Sequence, residues 1–295
     1  MQLTKIQIHI LTISYFISFL GFTQQTSFYV SAHQDDWQLF MNPNVYESVK
    51  SENEKTVIVH LTAGEAGYGT GNNEYYKARE EGSLRALRFI SNTFESGENK
   101  KGVYEQVVLN NKKILRYEYD GNVVYLLRLP DGNGPGQGYP IHLNKSLQKF
   151  YREEVKNLHS IDSTALYKSK NELIATLKNL VLKEAGTDQI QINLANTNLE
   201  EHPKDHSDHR TASLFFQEVA KQIGGLELRY YLNYQTSTLE ENIEGDDLLN
   251  NIGTWGATCS GIGDNGHLST WDVHHNAWLS RQYYKTEILP QKTKP

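Results

Sequence analysis

Two apolar runs constrain the fold more than any other feature of the chain. "TSFYVSA" (residues 26–32) and "KTVIVHLTA" (residues 55–63) are continuous and rich in β-branched and aromatic residues. A strand with one wet face alternates polar and apolar, whereas a continuous run fits a strand covered on both faces. The second run leads into "NEYYKAREEGSLRALRFI", where Tyr76, Arg79, Ser83, Leu84, Leu87 and Ile90 fall near helical spacing. The same alternation recurs downstream. "SKNELIATLKNLVLKEAG" predicts a helix stopped at Gly186, and "DQIQINLA" predicts a strand. "SDHRTASLFFQEVAKQIGG" predicts a helix ending at Gly224-Gly225, and "LELRYYLNY" another strand. Strands alternating with helices define an α/β chain with a mostly parallel sheet.

The remaining segments decorate that frame. "KKILRYEYDGNVVYLLRL" holds two β-rich runs around Asp120-Gly121, a hairpin signal that belongs on the sheet edge or an insertion. "LPDGNGPGQGYP" must be a loop, and "LNKSLQKFYREEVKNL" reads as a helix. Beyond Gly225 lies a long C-terminal extension, read as a Gly-rich loop followed by a closing helix over "GHLSTWDVHHNAWLSRQYY". Its Trp255, Trp271, Trp278, His267, His274 and His275 either pack that helix or face a ligand pocket. At the other end, residues 1–23 carry Lys5, a short apolar stretch and small residues near Gly21. That pattern fits a secretory signal peptide better than a membrane anchor. The expected mature unit is one catalytic domain over residues 24–295, secreted or periplasmic, with no membrane span after signal removal.

Composition excludes several function classes. A net charge of −6 offers no basic footprint for nucleic acid. The single cysteine, Cys259, leaves no internal disulfide and no CxxC metal motif. The Gly-rich "AGEAGYGTGNN" lacks the GxGxxG order, HExxH and GxSxG are absent, and "DGNGPGQGY" lacks the ligands of a calcium loop. The oligomeric state is open.

Chemistry concentrates in two clusters. "HQDD" places His33, Asp35 and Asp36 just after the first strand, and "HSDH" places His206, Asp208 and His209 between a later strand and its helix. Alone, each suits a polar turn, since aspartate favours helix N-caps and first turns. Together they would meet at the carboxyl edge of the sheet, where open α/β sheets bind ligands. Two histidines and one carboxylate with an open position form a common catalytic zinc set, and iron, cobalt or manganese also fit such donors. Asp35 then suits the base that takes a proton from water. His206 suits an acid or oxyanion partner, and Asp208 is a candidate to orient it.

These residues resemble a known family. "AHQDD" resembles the (A/P)HPDD signature of the PIG-L/LmbE-like zinc deacetylases, and "HSDHRTASLFFQEVA" its later HPDHxxA segment. "LTAGEAGYG", "YYKAREEGSLRAL", "LRLPDG" and "ELIATLKNLVLKEAGTDQI" follow in the family's order, so the resemblance spans roughly Phe28 to Ala220. It implies a Rossmann-like fold and removal of the N-acetyl group from a GlcNAc- or GalNAc-type sugar. It implies zinc on His33, Asp36 and His209, and Asp35 as general base. It also implies His206 as acid and oxyanion partner supported by Asp208, with Arg79 and Asp131 holding the sugar. Gln34 and Ser207 stand where the family has proline, and Trp37 where it often has Glu. Gln34 and Trp37 are therefore expected to bear on substrate choice. The alternatives are a noncatalytic carbohydrate-binding protein on the same fold, or a metal hydrolase of another amide or an ester.

Overall fold

A computed structural model describes residues 24–71, 73–93, 100–201 and 203–292; the leader expected over residues 1–23 lies outside them. In chain order come β1 (Gln25–Ser31), α1 (Asp36–Phe40), α2 (Asn44–Lys50), β2 (Glu54–Thr62), α3 (Tyr75–Asn92) and β3 (Val103–Leu109). Then follow β4 (Lys112–Tyr119), β5 (Asn122–Leu129), α4 (Leu147–Tyr151), β6 (Leu158–His159), β7 (Leu166–Tyr167) and α5 (Lys170–Ala185). The chain continues with β8 (Gln189–Ala195), α6 (Ser207–Ile223), β9 (Leu226–Tyr231), α7 (Gly245–Asp264), α8 (Val273–Asn276) and β10 (Tyr284–Leu289).

Eight strands form one sheet in the order β10-β9-β8-β1-β2-β5-β4-β3. β9, β8, β1, β2 and β5 pair in parallel, while β10 at one edge and β4–β3 at the other run antiparallel. Burial explains why the central strands read as continuous apolar runs. Phe28, Val30, Val57 and Val59 face a core shared with α4, α5 and α6. Their neighbours Tyr29 and Ile58 face a second core shared with α1, α2, α3 and α7. Helices therefore cover both faces, the arrangement that buried parallel strands require.

Several expectations need correction. "LNKSLQKFYREEVKNL" is helical only over Leu147–Tyr151. Ser146 caps the start through Lys149 N, but Leu147 and Phe150 are the only side chains the helix buries, and the backbone turns left-handed at Glu153. In the extension the expected loop and helix change places. The Gly-rich stretch lies within the twenty-residue α7, whereas "GHLSTWDVHHNAWLSRQYY" contains one helical turn and leads into β10. Close packing accounts for the glycines: a Cβ on Gly261 would stand 2.6 Å from Gly82 Cα, and one on Gly82 2.7 Å from Thr258 O. Small residues let α7 lie directly on α3. β3 was not expected, because Val103–Gln106 are all exposed at the sheet's edge and carry no burial pattern.

Strand order sets the position of the site. β1 leads through α1 and α2 to β2 on one side, while β8 leads through α6 to β9 on the other. The switch point lies between β1 and β8, and a crevice opens at their carboxyl ends. "HQDD" follows β1 and "HSDH" follows β8, so the fold brings the two motifs to one place.

Candidate metal centre

α1 begins directly after β1, with Asp35 at its N-cap and Asp36 in its first turn. The His33 backbone N–H donates to Asp36 Oδ2 at 2.9 Å and fixes that carboxylate. α6 begins at Ser207, capped by His206, whose Nδ1 accepts the Asp208 N–H at 3.2 Å. One helical turn therefore carries His206, Asp208 and His209. The loop after β5 closes over them: Gly132 N donates to Asp208 Oδ2 at 2.7 Å, and Ser207 N to Gly134 O at 2.9 Å. A Cβ on Gly132 would come within 2.4 Å of Asp208 Oδ1, so this approach needs glycine.

Three buried side chains converge. His33 Nδ1 lies 3.3 Å from His209 Nε2 and 3.6 Å from Asp36 Oδ1, and His209 Nε2 lies 3.1 Å from Asp36 Oδ1. Tetrahedral zinc with bonds of about 2.0–2.2 Å would hold its ligand atoms roughly 3.3–3.6 Å apart. Two edges fall in that range and the third, His209 Nε2 to Asp36 Oδ1 at 3.1 Å, is slightly shorter, and these residues form a group able to hold a metal ion. Unpaired, such a cluster is costly to bury. Burial opposes charge on His33, but Asp208 and Asp36 overcome it and push the imidazole up to about 10. Burial likewise opposes charge on His209, yet Asp36 and Asp205 hold its pKa well above the ordinary value. A divalent cation would take the place of those protons, with the Asp36 carboxylate, held well below its usual range by the two imidazoles, already ionised.

Supporting contacts fix the imidazole tautomers. His209 Nδ1 lies 2.8 Å from Asp205 Oδ1, so its proton belongs there and Nε2 keeps a free lone pair. Sequence reading missed Asp205; its signal was the spacing of four residues before His209, one turn along a helix start. His33 Nε2 has no hydrogen-bond partner and stands 3.6 Å from Asp208 Oδ2. Asp208 is slightly farther, 3.9 Å, from His206 Nδ1. It thus sits between the two imidazoles, nearer to His33 than to the histidine it was expected to orient.

Around this centre a cavity of about 220 Å³ is lined by His33, Asp35, Asp36, Arg79, Asp131 and His206, with aromatic residues at its wall. Every site residue expected from the sequence except His209 and Asp208 lines it. Arg79 hydrogen-bonds Asp35 Oδ1 through Nη2 and Gly64 O at 2.7 Å through Nη1. Its guanidinium thus positions Asp35 while still lining the cavity. Asp131 Oδ1 lies 3.9 Å from His206 Nε2, and its own N–H is held by the fully buried Glu65 at 3.1 Å. His142 Nε2 meets the same carboxylate at 2.8 Å. Burial and the neighbouring His33 push His206 down to about 4, which keeps it neutral.

Gln34 and Trp37 do not meet the pocket. Trp37 is fully buried in the α1–α3 core with Nε1 donating to Ser83 Oγ at 2.9 Å, and Gln34 is turned inward to Thr62 O at 3.1 Å. The expectation that they set substrate choice is corrected: they pack beneath the motif. The wall comes instead from the C-terminal extension, through Tyr234, His275 and Trp278, together with Phe40.

No family model and no curated protein matches the chain. Among solved structures it is similar to the zinc-inhibited form of teicoplanin deacetylase Orf2, at 9% identity and a TM-score of 0.40, over 85% of this chain and 84% of that one. At that likeness nothing is carried over from the neighbour, and the assignment of the centre rests on this chain's own residues.

Proposed function

We propose that the protein is a metal-dependent hydrolase that removes the N-acetyl group from an N-acetylated amino sugar of GlcNAc or GalNAc type, in a glycan or glycoconjugate. The observation that carries this reading is the triangle of His33 Nδ1, Asp36 Oδ1 and His209 Nε2, with edges of 3.1–3.6 Å, beside the Asp35 carboxylate outside the triangle and the His206 imidazole. Zinc, or iron, cobalt or manganese, suits two imidazoles and a carboxylate. Such a cation supplies Lewis acidity, polarising a carbonyl and making water a better nucleophile.

The chain's own groups divide the remaining work. Asp35 lines the pocket beside the ligand Asp36 but is not itself a ligand, so it is free to take a proton from the attacking water. Arg79 Nη2 donates to Asp35 Oδ1 and aims that carboxylate. His206 accepts the Asp208 N–H at Nδ1, which puts its own proton on Nε2, facing Asp131 and the cavity. A neutral Nε2–H donates a hydrogen bond to the acetyl oxygen as negative charge develops there. This differs from the acid role expected from the sequence, because a neutral imidazole has no proton to spare for an amine. Asp35, once protonated, supplies it: the C–N bond breaks, the amine nitrogen receives the proton, and the free amine leaves with acetic acid, which ionises to acetate in solution.

Acetate release measured across N-acetylated mono-, oligo- and polysaccharides, with metal added back, tests the reading. Asp35→Asn should lower turnover by about 100-fold or more, the usual worth of a general base, while retaining metal. Normal turnover in that variant, or no acetate from any substrate, would sink it. The export route through residues 1–23 is part of the same proposal. It predicts that mature protein recovered outside the cytoplasm starts near Gln24, and full-length protein retained in the cytoplasm would count against it.

A further inference from the structure

Resting on that deacetylase reading, we infer that the substrate is an N-acetylated oligo- or polysaccharide chain, whose sugars beyond the reacting unit lie against two aromatic clusters. The cavity at the metal ligands, about 220 Å³, is smaller than the roughly 300–1,000 Å³ of drug-sized ligand pockets. It suits one sugar head group. Aromatic surface nevertheless continues past it in two places.

The first cluster joins the centre through His209. Tyr234 meets that imidazole edge-on at 5.2 Å and stacks on Trp278 at 5.1 Å and 12°. Phe40 and His275 brace Trp278 edge-on at 5.1 and 5.5 Å. Tyr234 is still 37% exposed, so the braced pair offers an open edge to solvent. The second cluster joins through Arg79, the partner of Asp35. The guanidinium lies 5.8 Å from the Tyr75 ring, which meets Tyr68 at 5.9 Å and His267 at 5.2 Å. Tyr68 is 54% exposed. Exposed aromatic rings held rigid by their neighbours are poor at excluding water but well suited to the C–H faces of pyranose rings, which combine apolar faces with polar rims. Tyr234, His275 and Trp278 also line the cavity, so a monosaccharide would meet the inner side of the first cluster and leave its exposed edge and the second cluster unused.

The experiment compares kcat/KM for acetate release from N-acetylglucosamine and its β-1,4-linked tetramer, with the corresponding N-acetylgalactosamine pair. Wild type should favour a tetramer over its monomer by tenfold or more, chiefly through KM. Trp278→Ala and, separately, Tyr68→Ala should each bring that ratio down at least threefold, with Trp278→Phe retaining most of it. Tyr68 is exposed, so its truncation reads the subsite even if Trp278→Ala disturbs the fold. Equal kcat/KM on monomer and tetramer, or ratios unmoved in both alanine variants, overturns the inference while leaving deacetylation intact. Titration calorimetry of Asp35→Asn with the same sugars separates the claims. Tighter tetramer binding without acetate release by wild type supports the subsites and fails the deacetylase reading, whereas equal binding overturns the subsites.

Discussion

Asp205 shows what a motif can and cannot disclose at the scale of residues. The convergence of His33, Asp36 and His209 was legible because two short motifs each lacked what the other supplied. The carboxylate that fixes His209 was hidden in "KDHSDH", because nothing in that string says which acid meets which ring. Its hydrogen bond to His209 Nδ1 predicts that Asp205→Ala keeps the fold but weakens metal binding by about 10–100-fold, as loss of a carboxylate behind a ligand imidazole typically does. Competition against a calibrated chelator measures this, and unchanged affinity would remove Asp205 from the site. Trp37 teaches the opposite lesson. It looked like a substrate residue by adjacency, yet one helical step past Asp36 turns a side chain by about 100°, enough to carry it from the crevice into the core. Arg79 was legible as a site residue through the resemblance, but its attachment to Asp35 required the fold.

At the scale of elements, the parallel strands were legible as continuous apolar runs because both their faces are buried, and the helices α3, α5 and α6 because burial on one face leaves a period in the sequence. α7 was not, since its glycines lower helix propensity and look like a loop. Their reason is tertiary: α7 lies on α3 with Gly261 over Gly82, and it ties down the wall of the pocket through Asn251 Nδ2 to Leu279 O at 2.9 Å and the stack of Trp255 on His275. Two glycines of this helix should therefore respond oppositely. Gly261→Ala forces a Cβ against backbone and should cost about 1–3 kcal/mol. Gly263→Ala, whose Cβ meets nothing within 4 Å, should gain about 0.5–1 kcal/mol from helix propensity. Denaturant melts of both variants check the contrast, and shifts of the same sign would refute the packing account. β10 escaped the sequence for a different reason: Tyr284–Ile288 are all exposed, so the strand is specified by pairing with β9 and not by a buried face.

The whole molecule is a doubly covered sheet whose switch point holds the centre, while its far side is secured by a buried charge cluster. Glu184 of α5 accepts from Lys55 of β2 at 2.8 Å, Arg116 of β4 at 3.0 Å and Tyr125 of β5 at 2.5 Å. Burial disfavours its charge, but those three donors win and hold its carboxyl below the ordinary 4.5. The unfolded chain therefore binds more protons in the window below 4.5, so this contribution is present above it and is lost as pH falls through that window. Glu184→Gln should cost about 1–3 kcal/mol at neutral pH, through donors left partly unpaired. The gap between wild type and variant should narrow as pH drops below 4.5; a gap that stays constant would contradict the assignment. No helix among the described residues is long and apolar enough to cross a membrane. A metal at the triangle of the switch point is what every role proposed for the surrounding residues depends on. Divalent metal content of the purified protein, measured beside His209→Ala at matched folding by circular dichroism, tests this most directly. The prediction is about one tightly held ion per chain in the wild type and loss of it in the variant. A metal-free wild type after reconstitution, or an equal content in His209→Ala, would contradict it.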